Sequence, residues 1–368
     1  MRKYVLGVVL GAILAVGPAL AMKWSFSGSF RVDPTFSSVK VGTTDAVTSF
    51  AIVDPGNSRF RLKGVMSDGS YLYFEVKALY GTWHSTGAIN TGSWGLRHAY
   101  ALINTPYGKV KFGHTWSVLD FVFANQRLNG DLSGIGFGNL YGGRVWEVVF
   151  CKGPAKVALV EPVAAALVDT DVVKVEMPKI EASFGFGPAN VSFSYNSFKE
   201  EGADTFTVTS FALAAFAGLP VGPAKVIVNG WYGQNLYVYP LEFKMKFNGV
   251  CVDKYRHTPY VDSTGTVNNA SGMGGFAQVM AKAGKGLLTV GFGMDIAKEP
   301  VKDYWTRGDS TKVDNSVRTV LFANYKLNLT KSFYIQPEFS MFSTKFGSKA
   351  ADKSTMTLFG LHLQYDWK

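Results

Sequence analysis

Seven cations stand at alternating positions early in the chain: Arg59, Arg61 and Lys63, then Lys77, Arg97, Lys109 and Lys111. A spacing of two places side chains on one face of an extended strand, because successive Cβ atoms point to opposite sides. A strand face charged in this way, with Glu75 as its chief acidic member, does no bond chemistry. It attracts anions and orders them along a wall. The intervening positions, among them Phe60, Leu62, Leu72, Phe74 and Val76, are apolar. A second group, Asp120, Arg127 and Asp131, lies in residues 116–143, an unusually apolar stretch that also holds Phe121, Phe123, Leu128, Leu132, Ile135 and Phe137. A connection of this composition needs a surface to pack on, and folding it inward would bring Asp120 and Asp131 opposite the basic wall. The result would be a transverse field across a constriction.

Other chemistries find little support. The five histidines, His84, His98, His114, His257 and His362, are scattered, with His98 and His114 on the apolar parity of their strands and His362 on the polar one. No G-x-S-x-G elbow, C-x-x-C pair or Cys/His cluster occurs, so neither a nucleophilic site nor a metal or cofactor site is expected. Cys151 and Cys251 fall at opposite ends of the strand map below, which predicts free thiols.

The elements that would position the wall begin after a leader. Met1, Arg2 and Lys3 precede an apolar run that ends in Ala19-Leu20-Ala21, the pattern of a secretory signal cut after residue 21, with one domain over 22–368. Without residues 1–21 the chain has 35 Lys+Arg against 27 Asp+Glu, a net charge of +8. An exported basic protein meets anionic solutes and lipid headgroups rather than nucleic acid.

From residue 23 onward the apolar period is two rather than 3.6. Strands are predicted at 23–31, 58–66, 71–80, 95–105, 107–115, 142–151, 155–162, 174–186, 189–198, 204–217, 224–232, 273–283, 286–297, 316–328, 331–343 and 354–367. Residues 32–57 read as a long gap. Residues 205–224 carry no charge, but Gly218, Pro220, Gly222 and Pro223 fit a strand and turn better than a spanning helix. In the last segment Phe359, Leu361, Leu363, Tyr365 and Trp367 alternate with Gly360, His362, Gln364 and Asp366. Short Gly, Pro and Asn turns alternate with long polar gaps, as in membrane barrels with tight turns at one end and loops at the other. The fold class predicted is all-β, a closed antiparallel transmembrane barrel of about 16 strands whose third loop folds inward. An extra hairpin within 233–272 would raise the count to 18.

Such a barrel is too wide for side chains to fill, so its lumen holds water and tolerates charge. Lysine or arginine facing lipid at the midplane would instead cost roughly 2–4 kcal/mol. The inward parity reads as largely Ser, Thr, Gly, Lys and Arg. The strand-end cations Arg144 and Arg59 also suit headgroups.

Residues 96–101 (LRHAYA) through 107–117 (YGKVKFGHTWS) resemble a segment of Gram-negative trimeric porins, nearest the DcaP-like dicarboxylate porins. The tight match spans some twenty residues. His114 stands where that pattern usually has Gln, and Lys368 follows Trp367 where such chains usually finish on the aromatic. The resemblance implies a 16-stranded barrel in an outer membrane, a homotrimer, and a constriction built from the third loop with Arg97 and Lys111 on its wall. The expected function is a diffusion pore for small anionic solutes, and the alternative is a structural or adhesive barrel acting through its loops.

Overall fold

The computed structural model describes residues 22–53, 58–79, 93–119, 124–128, 133–164, 167, 172–202, 205–238, 246–247, 250–251, 257–261, 266–298, 316–346 and 353–368. The expected leader lies outside them. Sixteen staves form the molecule: β1 (Lys23–Val41), β2 (Val47–Val53 continued by Arg59–Val65), β3 (Tyr71–Leu79), β4 (Ser93–Thr105), β5 (Gly108–Trp116), β6 (Arg144–Lys152), β7 (Ala155–Val160) and β8 (Val172–Lys174 continued by Lys179–Phe186). The second half is β9 (Ala189–Glu201), β10 (Thr205–Val221), β11 (Ala224–Gln234), β12 (Ser271–Ala283), β13 (Gly286–Lys298), β14 (Ser316–Asn328), β15 (Phe333–Phe346) and β16 (Lys353–Trp367).

Each stave pairs antiparallel with the next, and β16 returns to β1 with Phe359 opposite Phe36. Closure removes the sheet edges, so backbone N–H and C=O groups are satisfied strand to strand even in hydrocarbon. Among the described residues no helix is long and apolar enough to cross a membrane, and the strands supply the span.

Seven tight connections gather at one end of the barrel, together with Lys23 and Trp367. Four of them turn on Gly153, Gly187, Gly222 and Gly284, whose φ values of 56° to 59° lie in the left-handed region that glycine enters without a Cβ clash. In the turn between β2 and β3, Ser70 gives its amide and hydroxyl to Asp68. The hydroxyl above all, with the amide, holds that carboxyl below its ordinary range. The long connections leave from the other end, although β1–β2 and β9–β10 are joined briefly there too.

The alternation predicted from sequence sorts the two faces. Along β1, Phe26 is 72% exposed and Phe36 53%, while Ser29, Arg31, Asp33, Thr35 and Ser37 are buried. The apolar parity therefore faces outward. Leu321, in the middle of β14, belongs to that belt at 41% exposure. Leu321→Lys is expected to destabilise the barrel in lipid vesicles by about 2–4 kcal/mol. Urea unfolding in vesicles measures this, and an unchanged midpoint would place Leu321 away from lipid.

One expectation about elements is corrected. Residues 32–57 are mostly strand: β1 runs on to Val41, and Val47–Val53 pairs with it from Val47 opposite Val39 to Val53 opposite Asp33. Pro34 has no N–H to donate to a ladder. The ladder to β16 passes over it, with Val32 opposite Leu363 and Thr35 opposite Gly360 flanking the gap. The count is the expected 16 rather than the alternative 18: among the described residues of 233–272, Lys246–Phe247 pairs with Val250–Cys251 and Tyr260–Val261 with Val267–Asn268, in two-stranded sheets separate from the barrel.

Candidate functional site

The wall of cations is organised around one carboxylate. Glu75, on the inner face of β3, is 3% exposed. Its oxygens lie 2.7 Å from Arg61 Nε, 2.5 Å from Arg97 Nε and 3.8 Å from Arg59 Nε, and the Tyr73 hydroxyl donates to it at 2.9 Å. Three guanidiniums thus share one carboxylate, which orients them and leaves a positive excess. Next along the wall, Lys111 reaches Glu147 of β6 at 2.6 Å. Lys63 sits 4.4 Å over the Tyr71 ring. Arg144 lies 4.0 Å over Trp116 and donates to the Tyr141 hydroxyl at 3.0 Å.

Arg97 owes its place to a bulge. Opposite β3, Glu75 pairs with His98 but Val76 pairs with Leu96, so Arg97 is an extra residue in β4. A bulge of this kind sets two neighbouring side chains on one side of the sheet. Both are buried: Arg97 against Glu75, and His98 beside the Tyr73 and Tyr100 rings at 6.0 and 6.3 Å between centroids. His98, expected outward by strict alternation, therefore faces inward. His114 keeps the outward parity and lies against the half-exposed Trp146.

The connection between β5 and β6 is fastened to inward-facing side chains of distant staves. Glu338 of β15, 1% exposed, accepts the amides of Arg127 and Leu128 at 2.7 and 3.0 Å, and also bonds Gln126, Asn324 and Ser340. Asn125 gives its amide to Gln278 of β12, and its side chain to Thr289 of β13. Its carbonyl accepts from Asn324 and Gln336. Where the connection leaves β5, the Ser117 hydroxyl and the Leu119 amide bond Glu181 of β8 at 2.6 and 3.3 Å. Further along, the Trp231 indole N–H of β11 donates to the Gly138 carbonyl at 3.0 Å. At Gly138, with φ 107°, an added Cβ would collide with the Gly275 carbonyl and the Met294 amide, so only glycine lets the chain approach β12 and β13 so closely.

Apolar contacts complete this seat. Leu128 and Phe137 are fully buried among Phe276, Val320, Phe322, Phe342, Met356 and Leu358, with the Phe137 and Phe342 rings 5.0 Å apart. A second cluster joins Leu119 and Leu140 to Phe198, Phe206, Val208, Trp231 and Leu236. The expectation that the inner face is largely small, polar or cationic is corrected here. Apolar patches on β9–β11 (Phe198, Phe206, Val208, Trp231) and on β14–β16 (Val320, Phe322, Phe342, Met356, Leu358) carry the loop segments packed there, set among buried polar residues such as Ser192, Asn196, Gln336 and Ser340.

No protein-family model matches this sequence, and no curated protein does. Solved structures do match. The outer membrane channel DcaP of Acinetobacter baumannii superposes with a TM-score of 0.68 at 17% identity, over 94% of this chain and 97% of that one. This fold is the porin fold. Salmonella typhi OmpF, solved with daunomycin, matches at 0.55 and 12% identity over 94% and 98% of the two chains. An anion-selective porin from Comamonas acidovorans matches at 0.52 and 12%, over 94% and 100%.

Within this porin barrel, Arg59, Arg61 and Arg97 converge on one carboxylate, Lys111 stands on a second, and Lys63 and Lys109 lie nearer the turns. Lys77 stands opposite Arg59 in the ladder. Asp120 and Asp131 lie outside the described residues, while Arg127 is held through its backbone amide on Glu338 and through its guanidinium on Asn125. Sequence reasoning missed Glu147, Glu181 and Glu338. Glu147 and Glu338 were each legible as a single acid on the inward parity of an otherwise uncharged strand centre, whereas Glu181 stands two residues from Lys179, with which it pairs at 2.7 Å. The two apolar seats left a signal as well: residues 319–323 (TVLFA) are apolar on both parities, which lipid alone does not require.

Proposed function

We propose that this chain forms a water-filled outer-membrane pore through which small hydrophilic solutes diffuse passively, anions in preference. The observation that carries the reading is the guanidinium trio on Glu75. Three cations share one carboxylate on the inner face of a barrel too wide to be filled by side chains. The constriction is built from the connection between β5 and β6, whose described residues 117–119, 124–128 and 133–143 pack on the lumen wall. Its support is the set of bonds from Asn125, Arg127 and Leu128 to Gln278 and Glu338, residues whose parity is inward. Non-helical backbone at membrane depth survives only inside a protein cavity. Loop packing occupies the sides of β9–β11 and β14–β16, so the aqueous path runs along the cationic face of β2–β6.

An exported chain with a leader over 1–21 and with its turns toward the periplasm fits this reading, as does assembly as a homotrimer, and the partners are lipid and small anions. An adhesive barrel would not need a charged inner wall. Planar-bilayer recording tests the proposal: in a KCl gradient the reversal potential is expected on the chloride side of zero. Cation preference would refute the role of the wall, and absence of conductance would leave the adhesive reading.

A further inference from the structure

The turn end of the barrel carries a feature distinct from the guanidinium cluster. Lys63 of β2, Lys109 of β5, Lys156 of β7, Lys225 of β11, Lys282 of β12 and Lys326 of β14 each stand within two residues of the end of their stave at the tight turns. All six share the inward parity. Lys156 alternates with the exposed, outward Val157 and lies opposite the buried Ser183. Lys225 shares its parity with the buried Ile227 and Trp231, and Lys282 with the buried Gln278 and Phe276. Lys326 shares its parity with Asn324, and Lys109 alternates with the outward Phe112.

The acids balance this ring poorly. At the same level only Asp366 of β16 points inward among the described residues, and it is engaged by Gln364. None of the six lysines forms an ion pair with a described carboxylate. Lys63 and Lys326 lie over the Tyr71 and Tyr334 rings instead. The cations deeper in the wall behave differently, since Arg59, Arg61, Arg97 and Lys111 are all on carboxylates.

We infer that these lysines form a cationic collar at the turn-side mouth, a second anion-binding element that takes small polyvalent oxyanions such as pyrophosphate. The physical ground is field focusing. Like charges spread around a low-dielectric rim sum at its centre, and a polyvalent anion is drawn in proportion to its charge. Flexible ammonium groups suit an oxyanion that need not be held in one geometry. The collar makes the pore asymmetric, since the wall cations deeper in, Arg59, Arg61, Arg97 and Lys111, already sit on carboxylates. This inference deepens the proposed function and rests on the barrel interior being aqueous.

A native thiol reports on the collar without any conductance. Cys151 lies between Lys109 and Lys156 across both neighbouring ladders, on the inward parity, and is free. In a Cys251→Ser background, an anionic methanethiosulfonate reagent is expected to modify Cys151 about 10-fold faster than its cationic trimethylammonium counterpart. Lys156→Gln, Lys225→Gln, Lys282→Gln and Lys326→Gln together should bring that ratio close to one. In oriented bilayers, pyrophosphate added on the turn side should block at lower concentration than on the loop side, and the fourfold variant should lose this sidedness. Equal labelling rates in the unsubstituted protein, or a ratio untouched by the fourfold variant, would overturn the collar. A barrel that conducts nothing yet labels with anion preference would overturn the pore and keep the collar.

Discussion

Replacing Glu338 with alanine is expected to raise single-channel conductance and lower the unfolding midpoint together. The carboxylate is the common acceptor for the Arg127 and Leu128 amides, and it also receives Gln126, Asn324 and Ser340. At 1% exposure no bulk water stands ready to take its place. Each amide left buried without an acceptor costs about 1–3 kcal/mol, so removing the side chain is worse for the seated connection than the loss of one ordinary hydrogen bond. The connection can recover that energy by leaving the wall and exposing its amides to water, which widens the path. The apolar half of the seat, Phe137 against Phe342 and Phe322, opposes departure and keeps the barrel itself closed. Recording in planar bilayers alongside thermal unfolding in detergent reads both effects. Unchanged conductance with an unchanged midpoint would mean that Glu338 does not fasten the constriction.

Glu75→Gln should strengthen anion preference, the reverse of what deletion of a pore-lining charge usually suggests. Glu75 offsets one unit of the charge on Arg59, Arg61 and Arg97. A glutamine of nearly the same shape can still accept from one guanidinium, so the wall keeps its geometry while its net charge rises by one. Arg61→Gln, by contrast, removes a cation that is itself about a quarter exposed to the lumen and leaves Glu75 with two guanidinium partners, so preference should fall. The anion-to-cation permeability ratio is expected to roughly double in the first variant and roughly halve in the second, and both shifts should shrink as salt screens the wall. Reversal potentials at two salt concentrations measure this. Shifts of the same sign in the two variants would show that conformation, not charge, sets selectivity.

The barrel was legible in the sequence because its code is local. Alternation needs only neighbouring residues, so Phe26, Phe30, Arg61 and Lys63 could be assigned to faces from their own strands. The tight turns are also local, since Gly153, Gly187, Gly222 and Gly284 sit where only a left-handed conformation closes the hairpin. Even the stretch 116–143 announced, by its apolar content, that it must be covered.

What covers it was not legible. Glu338 lies some 210 positions from the Leu128 amide that it accepts, and nothing near either residue in the chain names the other. The bulge that turns His98 inward depends on the ladder to β3, and a single-residue slip is invisible to a parity count. The pairing of Arg61 and Arg97 through Glu75 joins three staves, and the lysines of the turn-side mouth become a ring only once β16 meets β1. Local periodicity determined which face of each strand meets hydrocarbon, because that preference is additive along the strand. Only the tertiary structure decided which charges meet one another, because strand register sets the contacts between neighbouring staves and the whole circumference sets those across the lumen.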